Sequence, residues 1–213
     1  MYPFIDATWN AIKGECPHLC GYCYMNRWGK QKPPRLDRDE LKTDLGEDQF
    51  IFVGSSCDIF ANEIPYVWLF DTLKHCNRYP KNKYLFQSKN PEGFDAVAIH
   101  LDPDIEYVLC TTIETNREYE VMGNTPTTIQ RAIDMARIPI EEKHVTIEPI
   151  MDFDARSMRD MILSIRPSQV NVGADSGGNS LPEPDKEKIL WLIEQLEDYT
   201  LVVKKQNLNR LIK

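Results

Sequence analysis

The chain has 213 residues, 42% of them hydrophobic, enough apolar material for one sizeable core and the make-up of an ordinary soluble domain. No apolar run approaches the roughly 18 residues that span a bilayer, and the opening Met-Tyr-Pro-Phe-Ile-Asp lacks the basic-then-apolar order of a signal peptide; the expected location is the cytoplasm, with no membrane partner. With 33 acidic against 25 basic residues the net charge is -8, which leaves no electrostatic footprint for sequence-independent binding to extended nucleic acid.

A first strand is expected near residues 8–12. Short runs rich in β-branched and aromatic residues follow at 50–54, 84–87, 107–113, 145–147, 170–173 and 201–203 and read as strands buried on both faces. Residues 65–77 place Val67, Leu69, Phe70 and Leu73 at helical spacing. Thr125 and Pro126 read as a cap and first helical position before Ile129, Ala132, Ile133 and Ala136. Asp154 is expected to cap a helix carrying Met158, Met161, Ile162 and Ile165, and residues 184–196 are apolar at Ile189, Leu192, Ile193 and Leu196. Alternation of this kind predicts a parallel sheet with helices outside, because parallel neighbours need crossovers. Six βα units and a last strand near 200–204 fall short of the eight units and roughly 250 residues of a full barrel. The expected fold is therefore α/β, an incomplete (βα)6 TIM-like barrel with an additional C-terminal strand, in one domain over residues 1–213; a doubly wound open sheet is the other arrangement. Either collects its chemistry on the loops after the strand C-termini.

Three of the six cysteines, Cys16, Cys20 and Cys23, fall in the C-x3-C-x2-C stretch GECPHLCGYCYMNRW, on the loop after the first strand. Cytoplasmic thiols stay reduced, so clustered cysteines there point to metal binding or chemistry. Three thiolates hold three irons of a 4Fe-4S cubane and leave the fourth open to a substrate or cofactor. The competing reading is a zinc ion on the three cysteines and His18, stabilising a non-catalytic binding module. Zinc sites more often draw C-x2-C pairs from two segments, and His18 sits inside the three-residue spacer, where folding back onto the same ion is strained.

The spacing, with Tyr22 just before the last cysteine, resembles the radical S-adenosylmethionine (SAM) superfamily. Residues 10–24 (NAIKGECPHLCGYCY) are similar to the cluster loops of its spore photoproduct lyase-related branch and of small phage-associated radical SAM proteins. VGSSCDIF, QSKNP, TIETN, VGADSG and VVKKQ sit where the latter carry similar blocks, so the resemblance covers most of the chain. It implies a radical SAM core domain and two cofactors, a 4Fe-4S cluster on Cys16, Cys20 and Cys23 and SAM chelated to the open iron. It also implies reductive cleavage to a 5'-deoxyadenosyl radical that takes hydrogen from a substrate, and a flavodoxin- or ferredoxin-like electron donor. A nucleic-acid lesion is the substrate class of the photoproduct lyases.

The resemblance also assigns expectations to residues at strand ends. The family's Gly-Gly-Glu-like turn for the methionine amino group is replaced by Gly54, Ser55, Ser56 and Asp58, without the glutamate. Glu114 is placed on the ribose hydroxyls, Ser88 and Asn116 on further polar contacts, Lys89 on the methionine carboxylate, and Tyr22 beside the cofactor. Glu148 and Asp175 are the candidate catalytic groups on the substrate side; a salt bridge to Lys204 or Lys205 is the competing role. Arg27, Lys30, Lys32 and Arg35 read as a solvated loop, the tryptophans as core or rim, and His75, His100 and His144 as ordinary histidines. Cys57, Cys76 and Cys110 are too widely spaced for a second cluster; Cys110 and Cys76 read as packing, and Cys57, on the turn after strand two, is nearest the chemistry.

Overall fold

The computed structural model describes residues 2–213. Seven strands form one parallel sheet: β1 (Ala7–Trp9), β4 (Phe50–Val53), β5 (Lys83–Ser88), β6 (Tyr107–Thr112), β7 (Lys143–Ile147), β8 (Gln169–Val172) and β9 (Leu201–Lys204), in that spatial order. The remaining two, β2 (Ile12–Lys13) and β3 (Arg35–Leu36), pair antiparallel outside it. Strand order follows chain order without a reversal, which rules out the doubly wound arrangement.

Alternation along each strand sorts its side chains between two faces. Ile51 and Val53, Tyr84 and Phe86, Val145 and Ile147, Val170 and Val172 point outward into one core with the helices. Those helices are α1 (Tyr66–Cys76), α2 (Asp95–His100), α3 (Thr128–Arg137), α4 (Ala155–Ile165) and α5 (Lys186–Glu197), with a short α6 (Asn209–Ile212) closing the chain. The other face carries Phe50, Phe52, Leu85, Val108 and Cys110, covered by Tyr2, Phe4 and Ile5 rather than by helices. Tyr2 stacks on Phe4 at 5.1 Å, and Phe4 meets His144 edge-on at 5.9 Å. Helices on one face only and a lumen on the other give the partial-barrel arrangement; β1 and β9 are the free edges of the sheet.

The first crossover departs from expectation. The first strand ends at Trp9 and the chain then turns out into the β2–β3 hairpin, so residues 10–49 contain only 3-10 turns at Tyr24–Trp28 and Glu40–Lys42 and no α-helix. Caps also shift. Thr127, not Thr125, caps α3 through the Gln130 N–H at 3.2 Å, because the Thr125 hydroxyl is taken by the Arg131 guanidinium. Asp154 stands at the N-cap of α4, but its carboxylate turns to Arg117 at 2.7 Å. Asp185 caps α5, accepting from Lys188 N–H at 2.8 Å. Among the described residues no helix is long and apolar enough to cross a membrane.

Candidate functional site

The cysteine loop is held from both sides. Below it, Glu15 N–H donates to Lys32 O at 2.8 Å, and Gly14, at φ +121°, lets the backbone of Lys32 and Pro33 approach where a Cβ would lie 2.6 Å from Pro33 O. Above it, the loop after β6 receives Gly21 N–H on Val121 O at 2.8 Å and sends Asn124 N–H to His18 O at 2.7 Å. Gly123, at φ +69°, makes that approach possible, since a Cβ there would sit 2.2 Å from His18 O. Within the loop, Leu19 N–H bonds Cys16 O and Cys23 N–H bonds Cys20 O, winding it so that Cys16, Cys20 and Cys23 line one cavity of about 540 Å³. All three thiols are free.

Asp58 organises the next wall. Its side chain is largely covered, accepts from the Ser88 hydroxyl at 2.9 Å, from Lys89 N–H at 2.8 Å and from Phe60 N–H at 3.0 Å, and pairs with His18 Nε2 at 2.8 Å. Burial would raise its carboxyl, but these partners, His18 foremost, hold it below the usual range. Its own N–H donates to Cys16 Sγ at 3.5 Å, tying the turn after β4 to the cysteine loop. The Cys57 thiol, one residue before Asp58, lowers the Cys16 thiol to about 7. Gly54, at φ +77°, starts the turn, and Asn10 gathers Ser55 and Ser56, accepting from Ser56 N–H at 2.9 Å.

Glu114, expected on the ribose, is instead fully buried and outside the cavity lining. One carboxylate oxygen accepts from the Tyr22 hydroxyl and pairs with Lys89 Nζ at 2.7 Å; the other pairs with Arg131 at 2.8 Å. Burial alone would raise it, yet Lys89 and Arg131 hold it down at about 2. Lys89 therefore points at Glu114 and also at Cys20 Sγ, 3.4 Å away. Ser88 and Lys89 line the cavity with Tyr22, Gly54, Ser55 and Asp58; Ser56 does not.

Glu148 lies across the cavity, bonded to the Lys205 ammonium and to Asn207 Nδ2 at 2.8 Å, while Lys204 pairs with Glu197. Gly173 makes room for it, since a Cβ there would stand 2.7 Å from Glu148 Oε1. Asp175 does not join it. Its carboxylate folds back onto Gly177 N–H at 2.9 Å and onto Asn179, ordering its own loop, and Ser176 reaches the cavity instead. Asn116 turns away as well, accepting from Asp154 N–H at 2.8 Å to hold the start of α4.

The floor, formed by Tyr2, Phe52, Gln87, Thr112 and Thr146, and Tyr24 at the rim were missed by sequence reasoning; Trp28 stands at the rim beside Arg27, which reads in the sequence as part of a solvated loop. The floor had a signal: Gln87, Thr112 and Thr146 precede Lys89, Glu114 and Glu148 by two residues and so share their face. Arg131 had none, being one charge in an amphipathic helix.

The donor set fits an iron-sulfur cluster. Soft thiolates suit it, and a cubane spreads three of them over three irons rather than gathering them on one point. Among the described residues no three His, Cys, Asp or Glu side chains converge on one ion, and His18, the fourth donor a zinc knuckle needs, is engaged with Asp58.

A solved cysteine-to-serine mutant of spore photoproduct lyase matches the chain with a TM-score of 0.60 at 12% identity, covering 96% of this chain and 78% of that one. The fold is shared with spore photoproduct lyase. A double mutant of spore photoproduct lyase with bound AdoMet and dinucleoside spore photoproduct gives 0.56 at 13% identity, covering 94% of this chain and 64% of that one. A complex of spore photoproduct lyase with dinucleoside spore photoproduct gives 0.53 at 13%, covering 90% and 61%, so the chain spans under two thirds of the latter two. No family model and no curated protein matches the sequence.

Proposed function

We propose that the chain is a radical SAM enzyme, acting as one core domain in the reducing cytoplasm and supplied with electrons by a flavodoxin- or ferredoxin-like donor. The observation that carries this is the placing of three free cysteines on the loop after the first strand of a partial barrel, facing one cavity with the turns after β4 and β5. Cys16, Cys20 and Cys23 would hold a 4Fe-4S cluster, which when bound supplies the electron that cleaves SAM to a 5'-deoxyadenosyl radical. Gly54 and Ser55 offer a close backbone approach and a hydroxyl for the methionine end, and Ser88 a hydroxyl beside them. Tyr2 and Phe52 close the floor against water. Glu148, oriented by Lys205 and Asn207, faces the substrate side, where a carboxylate can position or accept a proton.

Anaerobic reconstitution should give about four irons, and the electron paramagnetic resonance signal of the reduced protein should change on adding SAM. Stoichiometric zinc without sulfide, or a signal indifferent to SAM, would overturn the reading. A nucleic-acid lesion as substrate is the second reading, supported by the fold shared with spore photoproduct lyase and by the exposed Tyr24 and Trp28 at the rim. Repair of a spore-photoproduct dinucleotide under reducing conditions tests it; 5'-deoxyadenosine release without repair would reject it.

A further inference from the structure

Lys89 occupies an unusual electrostatic position. Its side chain is 16% exposed and its ammonium reaches Glu114 Oε1 at 2.7 Å, the Tyr22 hydroxyl at 2.7 Å and Cys20 Sγ at 3.4 Å, over the Tyr22 ring at 4.3 Å. Glu114 is already paired with Arg131, and both are fully buried. Two cations thus share one carboxylate. The neighbouring Asp58 takes the Lys89 backbone N–H, but its side-chain partner is His18. Buried charges persist when compensated, and beyond Glu114 the sulfur within reach of the Lys89 ammonium is Cys20 Sγ at 3.4 Å, a thiolate when it holds iron.

We infer that Lys89, set in place by the Arg131–Glu114 pair, is a positioning residue that holds a fixed positive charge on the Cys20 ligand and raises the reduction potential of the cluster. The inference rests on the proposed function. Reduction adds one electron to the site, and a cation in contact with a ligand thiolate in a low-dielectric pocket stabilises the reduced form more than the oxidised one. Glu114 opposes this by neutralising part of the charge, so the two residues act with opposite signs.

The test is a redox titration of the reconstituted protein followed by electron paramagnetic resonance, with iron and sulfide analysed on the same samples. Lys89→Met should lower the reduction equilibrium constant about tenfold or more, equivalent to 59 mV for one electron. Glu114→Gln should shift it the opposite way, and Lys89→Arg should stay near wild type. A role in packing alone would not give opposite signs. If Lys89→Met loses the cluster while Lys89→Arg keeps it, the need for a cation at Cys20 is supported; loss in both overturns the inference. Unchanged potentials in Lys89→Met and Glu114→Gln, with four irons and a SAM-sensitive signal, overturn it and leave the proposed function standing. A wild-type protein that takes up no iron removes both.

Discussion

Arg131 is wholly buried and places its guanidinium on four oxygens: Pro126 O at 2.7 Å, Thr112 O at 3.0 Å, Glu114 Oε2 at 2.8 Å and the Thr125 hydroxyl. Removing one partner of such a pair leaves the other charge buried, so Arg131→Met should cost about 3–5 kcal/mol by denaturant unfolding. A loss under about 1 kcal/mol would show that Lys89 alone satisfies Glu114. His144 offers a pH test. Burial holds its imidazole down at about 4, against about 6.5 in an unfolded chain. The unfolded chain binds the extra proton between these values, so this contribution is complete above about pH 6.5 and is lost as pH falls towards 4. The stability advantage of wild type over His144→Gln should shrink by roughly 2 kcal/mol between pH 7 and pH 4.5, read from urea midpoints; a constant difference would contradict the assignment. Such residues separate what sequence makes legible from what it hides. Cysteine spacing carries its pattern in the chain itself, and the three thiols that line one cavity could be named from it as candidate ligands. Glu114 and Lys89 were legible as strand-end polar groups but not as partners of each other, because their meeting depends on the spacing between β5 and β6.

At the scale of elements, the loop after β6 acts as a clamp on the cysteine loop. Gly123→Ala would force a Cβ against His18 O and Leu19 O in a left-handed conformation. Iron content after reconstitution should fall below about half of wild type with the fold retained by circular dichroism, at a stability cost of about 1–3 kcal/mol. Gly29 is the control: it has φ +71° and nothing within 4 Å of its Cβ position, so Gly29→Ala should keep its iron. Equal losses in both would mean that strain and not contact is decisive. Strands buried on both faces were readable as β-branched and aromatic runs, and four long helices as periodic patterns, but β9, expected to be buried like the others, is an edge strand with Leu201 exposed. The first crossover was not readable. Its two short strands pair across more than twenty residues that include the whole cysteine loop, and nothing local announces a hairpin.

Among the described residues the molecule has one seven-stranded parallel sheet with two faces, a small β2–β3 hairpin beside it and one thiol-lined cavity. Cys76 is buried against the helices and Cys110 against Tyr2, where burial raises Cys110 to about 12, so neither thiol is offered to metal. Cys76→Ala and Cys110→Ala should each lower stability while keeping about four irons; loss of iron from either would demand a second metal site. Strand order could be anticipated because alternating β and α elements leave few ways to pair, whereas the lining of the lumen by the N-terminal segment could not, since Tyr2 and Phe4 carry no periodic signal. The long first crossover has a kinetic consequence. Ala7 pairs with Ile51 across the widest separation in the sheet, so joining β1 to β4 closes its longest loop and bears its largest closure entropy. Contacts between β4 and β8 close over shorter loops and are expected to assemble earlier, leaving β1 and the cysteine loop to dock last. Iron would then meet its ligands on a chain whose sheet is already built, and loading the cluster would act as the latch on the final strand. Hydrogen exchange of the iron-free protein should accordingly be faster across residues 7–36 than across β5 to β8, and should slow on reconstitution.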